Sequence, residues 1–273
     1  MIRRDVGSDF LLITQHDHAL LAGEFARRLR QDCLAAPLPY EETLEGIAQH
    51  DCGWPLHDDS PTLNSDGLPL HVFEAPVSLA TQVWSASVAR AMNLGDYQGL
   101  LVSLHAFNLS AIHLQHAKGL SRGNLFEMNK FQHRQIEIQE DLRGRLRLSN
   151  EVPRRLGLAK MGASAADDRL LFNFRLLTAM DRISLSLCSG ELLFPKMEDV
   201  SPAPGKTPVL IELSMPEAAV MEVGPWIFDQ PEMEFEVPAR RVGRGRFKSL
   251  EAFREAYADA RVERLRLTLR PAG

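Results

Sequence analysis

Three His-Asp dipeptides stand near the N-terminal end of the chain: His16-Asp17, His50-Asp51 and His57-Asp58. Imidazole and carboxylate are the commonest ligands of hydrolytic and redox metals, so each pair is a candidate for metal chemistry. Only His50-Asp51 closes an apolar helical pattern, with Leu44, Ile47 and Ala48 before it and Cys52-Gly53-Trp54 after it. Neighbouring helical residues diverge by about 100°, yet both side chains reach past the backbone to an ion lying between them. Such an ion needs donors from other helices. His18 lies beside Ala19, Ala22 and Gly23, small residues that let a second helix approach closely. Asp181 interrupts the apolar run Leu177 to Leu185. A buried carboxylate is costly unless a cation or metal meets it; Arg175 and Arg182 are the competing partners. His105 sits between Leu104 and Ala106-Phe107 and is expected to be buried, either as a hydrogen-bonded core residue or as a ligand. His116 shares its face but lies about 16 Å along the axis, so the two cannot hold one ion. His113 and His116 are expected at the surface.

The elements that would position these groups read as follows. Phe10-Leu11-Leu12-Ile13 is a short apolar entry with strand character. Thr14 and Asp17 form a capping pair for a helix over His16–Cys33, and a second helix runs over Tyr40–Asp51 with Gly53 placed to end it. Trp54 to Pro76, rich in proline and aspartate, reads as an irregular stretch that either lines a pocket or passes through solvent. Further helices are expected over Val77–Met92, Tyr97–Ala117, Leu125–Leu146 and Arg169–Leu187, with breaks at Pro153, the Gly157–Gly162 region and Gly190. Residues 195–209 carry four prolines and read as a linker. Beyond it, Val209–Leu213, Met233–Val237 and Val262–Leu269 have strand character, and Leu250–Ala258 is a short helix. The expected fold is therefore mainly α: a helical body over 1–194 and a small α+β appendage over 195–273, which either covers the pocket or forms a homodimer face.

Composition limits the partners. The chain has 273 residues, 31 basic against 36 acidic, with net charge −5 and 45% apolar residues. A near-neutral acidic surface argues against nucleic acid as main partner. The basic run Arg240, Arg241, Arg244, Arg246 lacks interleaved aromatics and reads as a solvated turn between strands. No apolar run reaches the roughly 18 residues of a membrane span, and the start lacks the apolar core of a signal peptide. Three cysteines without C-x-x-C spacing fit a reducing cytoplasm better than a disulfide scaffold. Cys52, beside the central pair, has no basic sequence neighbour to activate it and reads as a packed thiol.

A histidine near the start of one helix, a His-Asp pair ending the next and a late aspartate on a distal helix resemble the HD superfamily of metal-dependent phosphohydrolases. His18, His50, Asp51 and Asp181 match its four motif positions in order. Thr14–Gly23, His50–Trp54, Ser103-Leu104-His105, Ala179–Leu185 and Gly224–Phe228 look closer to one uncharacterised, mainly bacterial HD-like branch, a domain of unknown function. The resemblance covers nearly the whole chain. It implies a helical bundle with a mono- or dinuclear site for a divalent metal (Fe, Mn, Mg or Zn), acting on a small phosphorylated molecule or nucleotide. Asp51 and His105 would be the catalytic groups, and Asp17 would be available to move a proton or to cap its helix. Trp54 and Arg182 would contact substrate, with Lys130, Arg134 and Arg175 as further phosphate candidates. One departure stands out: the lysine that often follows the His-Asp-x-Gly run in hydrolytic members is absent, and Trp54 holds its place. Two alternatives remain open, a diiron oxygenase on the same scaffold and a metal-stabilised protein without catalysis.

Overall fold

The computed structural model describes residues 1–116, 119–148 and 165–273. It opens with two strands, β1 (Ile2–Val6) and β2 (Asp9–Ile13). Five helices of the body follow: α1 (Gln15–Arg27), α2 (Tyr40–Ala48), the single turn α3 (Pro55–Asp58), α4 (Val77–Leu94) and α5 (Asp96–His116). Next come α6 (Arg122–Arg145) and α7 (Ala165–Ser189), then β3 (Lys196–Val200), β4 (Val209–Glu217), β5 (Val220–Gly224) and β6 (Met233–Gly243). Helix α8 (Leu250–Asp259) and strand β7 (Val262–Pro271) complete the chain.

The expectation of a mainly α protein is overturned. Among the described residues, seven strands form one sheet in the order β1-β2-β6-β7-β5-β4-β3, and the architecture is α/β. The first two strands pair with each other and then antiparallel with β6, Phe10 opposite Val242 and Leu12 opposite Arg240. Strands β1, β3 and β5 escape the sequence because each is five residues long and carries charge. Strand β1, Ile2-Arg3-Arg4-Asp5-Val6, looks like surface, yet Arg4 is buried and donates to the carbonyls of Leu187 and Ala218 at 2.7 and 2.9 Å. Strand β3 lies within the stretch taken for a linker.

The sheet is covered on both faces. Leu11 and Ile13 join the main core with α1, α2, α5 and α7, whereas Phe10 and Leu12 pack with Phe253 and Tyr257 of α8 on the other side. That double burial accounts for the unbroken apolar run in β2, since a strand covered on one face only would alternate. The arginine run is not a free turn: Arg240 and Arg241 lie within β6, Arg241 meets Glu263 and Asp9, and Arg244 meets Asp5.

Helix ends shift by a few residues from expectation. Helix α1 stops at Arg27 rather than Cys33, and α2 at Ala48, leaving His50 and Asp51 on the turn beyond it. Gly190, at φ +75°, ends α7 as expected. Part of the irregular stretch after Trp54 is the helical turn α3. The breaks expected at Pro153 and the Gly157–Gly162 region lie outside the described residues, as does the side chain of His116. No described helix is long and apolar enough to cross a membrane.

Candidate metal centre

Two close approaches bring the donors together. A Cβ built on Gly23 of α1 would lie 2.6 Å from the Cβ of Ala48, so glycine there lets α1 pass directly over the end of α2. Gly53 acts the same way on the other side. It does not end α2; a Cβ on it would fall 2.1 Å from the carbonyl oxygen of Val83 and 2.4 Å from the amide of Ser87, both in α4. Its own N–H donates to the Ser87 hydroxyl at 2.9 Å, and the Arg90 guanidinium donates to the carbonyl of Cys52. The turn carrying His50-Asp51 is thus clamped between α1 and α4. Thr14 caps α1, accepting from the amide of Asp17 at 3.0 Å and donating to its carboxylate at 2.6 Å, so Asp17 serves the helix end.

His18, His50, Asp51, His105 and Asp181 converge inside this frame. His18 Nε2 lies 3.2 Å from Asp51 Oδ2, and His50 Nε2 lies 3.3 Å from Asp181 Oδ1 and 3.9 Å from Asp51 Oδ2. His105 Nε2 lies 3.8 Å from Asp181 Oδ2. The His18 and His50 rings are 5.2 Å apart and the His50 and His105 rings 5.0 Å, both edge to face. Two groups have donor atoms all within 4.8 Å of one another: His18, His50, Asp51, and His50, His105, Asp181.

Hydrogen bonds behind the rings settle how they present themselves. The Ser184 hydroxyl donates to the carbonyl of Asp181 at 3.0 Å, which leaves its oxygen to accept from His18 Nδ1, also at 3.0 Å. His50 Nδ1 donates to the carbonyl of Ile47 at 2.8 Å. In the neutral rings these bonds keep the proton on Nδ1 and turn Nε2 toward the cluster, the arrangement in which a second ring nitrogen fixes a ligating tautomer, although without a cation the carboxylates favour a second proton on His50. Among the buried side-chain atoms without a hydrogen-bond partner are His50 Nε2 and Asp51 Oδ1, both in the cluster. Buried polar atoms are rarely orphaned, and orphans gathered at one point are what a small cation would satisfy.

Electrostatics agree with the crowding. Burial opposes the charged form of His50, but the carboxylates of Asp51 and Asp181 outweigh it and raise its pKa to about 9. Burial likewise works against Asp181, and the close approach of His50 Nε2, 3.3 Å away, and its charge overcome it, holding this carboxylate well below its ordinary range. His105 goes the other way: burial dominates the pull of Asp181 and lowers it to about 4. Cys52 is pushed up to about 11 by burial and is an inert packed thiol.

The cluster forms the floor of a cavity of about 560 Å³. Asp51, His105 and Asp181 line it, together with Trp54, which is 2% exposed. Arg182 does not reach it: its guanidinium lies 3.3 Å from Asp199 Oδ1 and over the outer ring of Phe194. Arg175 bonds Ser201 and Arg134 pairs with Glu137, so no lysine or arginine among the described residues lines the cavity. His113, expected at the surface, is half-buried in its wall. Ser184 and Gln15, the latter buried in the lining, carry no sequence signal beyond their position on faces shared with Asp181 and His18. The His57-Asp58 pair does different work. Asp58 receives the amide of Gln15 at 2.7 Å, the His57 ring at 2.9 Å and the Met1 ammonium at 3.0 Å, which fastens the sheet edge to α3.

Compared with known proteins, residues 1–244 match a family model described as protein of unknown function (DUF3891). No curated protein and no solved structure matches the chain.

Proposed function

The chain belongs to the family described as protein of unknown function DUF3891, and from that premise we propose that it is a metal-dependent phosphohydrolase of HD type acting on a small phosphorylated molecule. One observation carries the reading: buried histidine and aspartate donors from α1, the turn after α2, and α7 meet at the floor of a cavity, and two of their atoms, His50 Nε2 and Asp51 Oδ1, lack a hydrogen-bond partner. The donor set fits a divalent transition metal, and mixed imidazole and carboxylate ligands suit iron and manganese well, with zinc and magnesium as further candidates.

His18 and His50 would hold the ion through Nε2, and Asp51 and Asp181 would supply the compensating charge. When bound, the ion would draw charge from a phosphoryl oxygen and acidify the attacking water. His105, which lines the cavity with its Nε2 3.8 Å from Asp181 Oδ2, would orient the attacking water through that nitrogen, since burial keeps it a weak base. Trp54 and the apolar walls keep bulk water from the reacting atoms.

The test is release of p-nitrophenol from p-nitrophenyl phosphate by protein loaded in turn with Mn²⁺, Fe²⁺, Zn²⁺ and Mg²⁺. Turnover with at least one metal, abolished by Asp51→Ala, is expected. Stoichiometric metal without turnover on this or a panel of natural phosphomonoesters would reject catalysis and leave a metal kept for folding. The second donor set, His50, His105 and Asp181, favours a diiron oxygenase as the other reading. It is the weaker one, because the two sets share His50, whose one outward nitrogen serves a single ion. A Mössbauer signal of coupled irons would decide for it.

A further inference from the structure

The cavity above the cluster has walls that a phosphosugar site would not need. Trp54, Trp84, Leu109 of α5 and Phe194 line it, and Phe73 and Ile112, 60% and 38% exposed, extend the apolar lining toward solvent. The charged lining is confined to the floor, at Asp51 and Asp181, with His105 and His113 as the titratable neighbours. A hydroxyl-rich body seated here would have only the unpartnered Gln15 amide, the Trp54 indole N–H and His113 to replace its hydration among otherwise apolar walls. An apolar body gains on the same walls. A cavity of roughly 150 Å³ holds one benzene ring, so about 560 Å³, part of it open to solvent, has room for two or three rings.

We propose that the substrate is the acidic ester of an apolar ring system, its body packed among Trp54, Trp84, Leu109 and Phe194 and its ester group directed to the cation that Asp51 and Asp181 would help hold at the floor. The ester half of this statement rests on the hydrolase reading above; the apolar half stands on the cavity alone. Specificity then lies in the walls, since the floor meets whatever ester is delivered to it.

The experiment separates the two halves. Binding of 2-naphthol, a neutral two-ring probe, to full-length protein stripped with EDTA is followed by quenching of tryptophan fluorescence, because Trp54 and Trp84 line the cavity. Saturable binding is expected. It should weaken by about tenfold or more in Leu109→Trp, which fills the inner cavity, and in Ile112→Trp, which narrows the mouth at an exposed site where folding is safe. In metal-loaded protein, kcat/KM for 2-(1-naphthyl)ethyl phosphate, whose primary-alcohol leaving group matches that of ribose 5-phosphate, should exceed that for ribose 5-phosphate by about a hundredfold or more. Failure of 2-naphthol to bind, binding untouched by both variants, or equal turnover of the two esters overturns the proposal. Cavity-sensitive binding of 2-naphthol with neither ester hydrolysed upholds the apolar site and overturns the hydrolase reading.

Discussion

Replacing Gly53 with alanine probes how tightly the candidate centre depends on its scaffold. The new methyl would sit 2.1 Å from the Val83 carbonyl oxygen and 2.4 Å from the Ser87 amide, whereas ordinary contact begins near 3.4 Å. Both obstacles are backbone of α4, so no rotamer change relieves them, and the turn must back away by roughly 1 Å. Overpacking of this kind costs about 3 kcal/mol, here compounded by the strained Gly53–Ser87 hydrogen bond. With a denaturant slope of about 3 kcal/mol per molar urea for a chain of this size, the midpoint should fall by about 1 M. The same retreat carries His50 and Asp51 with it. Coordination distances tolerate only about 0.2 Å, so metal affinity should fall along with stability. Gly144→Ala is the control: Gly144 lies in the exposed last turn of α6 with nothing near its missing Cβ, and alanine there should be neutral or stabilising by about 0.5 kcal/mol. Urea unfolding followed by circular dichroism, with metal titration of each folded variant, gives both readouts. A Gly53→Ala protein with a wild-type midpoint and wild-type metal affinity would refute the clamp.

Other perturbations have equally definite outcomes. Ser184→Ala frees the His18 ring while leaving every donor in place; metal affinity measured by competition with a chelating dye should drop about 10- to 100-fold, with a stability loss near 1 kcal/mol. His71 is held down to about 4, chiefly by burial and then by the Met1 ammonium and Arg3, against the pull of Glu74. The unfolded chain therefore binds the extra proton between pH 6.5 and about 4, and stability should fall with pH through that window. His71→Gln should remove on the order of 2 kcal/mol of that slope in urea midpoints compared at pH 7.5 and 4.5. Asp58 is opposed by burial but held below its usual 3.8 by the Met1 ammonium and the His57 and Gln15 bonds. Its contribution is present above that value and lost as pH falls below it, so Asp58→Asn should cost about 3 kcal/mol near neutrality and flatten the acid limb of the stability profile. Saturating metal at about a hundred times its dissociation constant should stabilise the protein by about 2.7 kcal/mol, read as a chelator-reversible rise in melting temperature.

The helices were legible because they are long and amphipathic: α4, α5 and α7 fall within a few residues of where their apolar periodicity puts them. The sheet was not, because its pairings are remote. Strand β2 meets β6 across more than two hundred residues, and nothing local in Phe10–Ile13 names its partner. The covering of that strand by α8 is equally non-local, although the unbroken apolar run was its trace. Charged β1 misled in another way, since Arg4 is buried by virtue of two distant carbonyls. At the site, His18, His50, Asp51, His105 and Asp181 stood out as polar residues on apolar faces, and the fold gathers them at one point. Arg182 looked like a phosphate ligand, being next to Asp181, but adjacent helical residues diverge, and it leaves the cavity for Asp199. Ser184 escaped notice because a helical serine ordinarily bonds its own preceding turn, which it also does here. The cavity's apolar character came from Trp84, Leu109 and Phe194, which belong to separate elements and form a wall only in three dimensions.

Anomalous diffraction from crystals soaked in Mn²⁺, collected above the manganese edge, tests the account most directly. A peak about 2.0–2.3 Å from His18 Nε2, His50 Nε2 and a carboxylate oxygen of Asp51, with Asp181 drawn in from beside His50, is the result predicted. A map with no peak in the cluster at saturating metal, or with manganese bound only elsewhere, would contradict it.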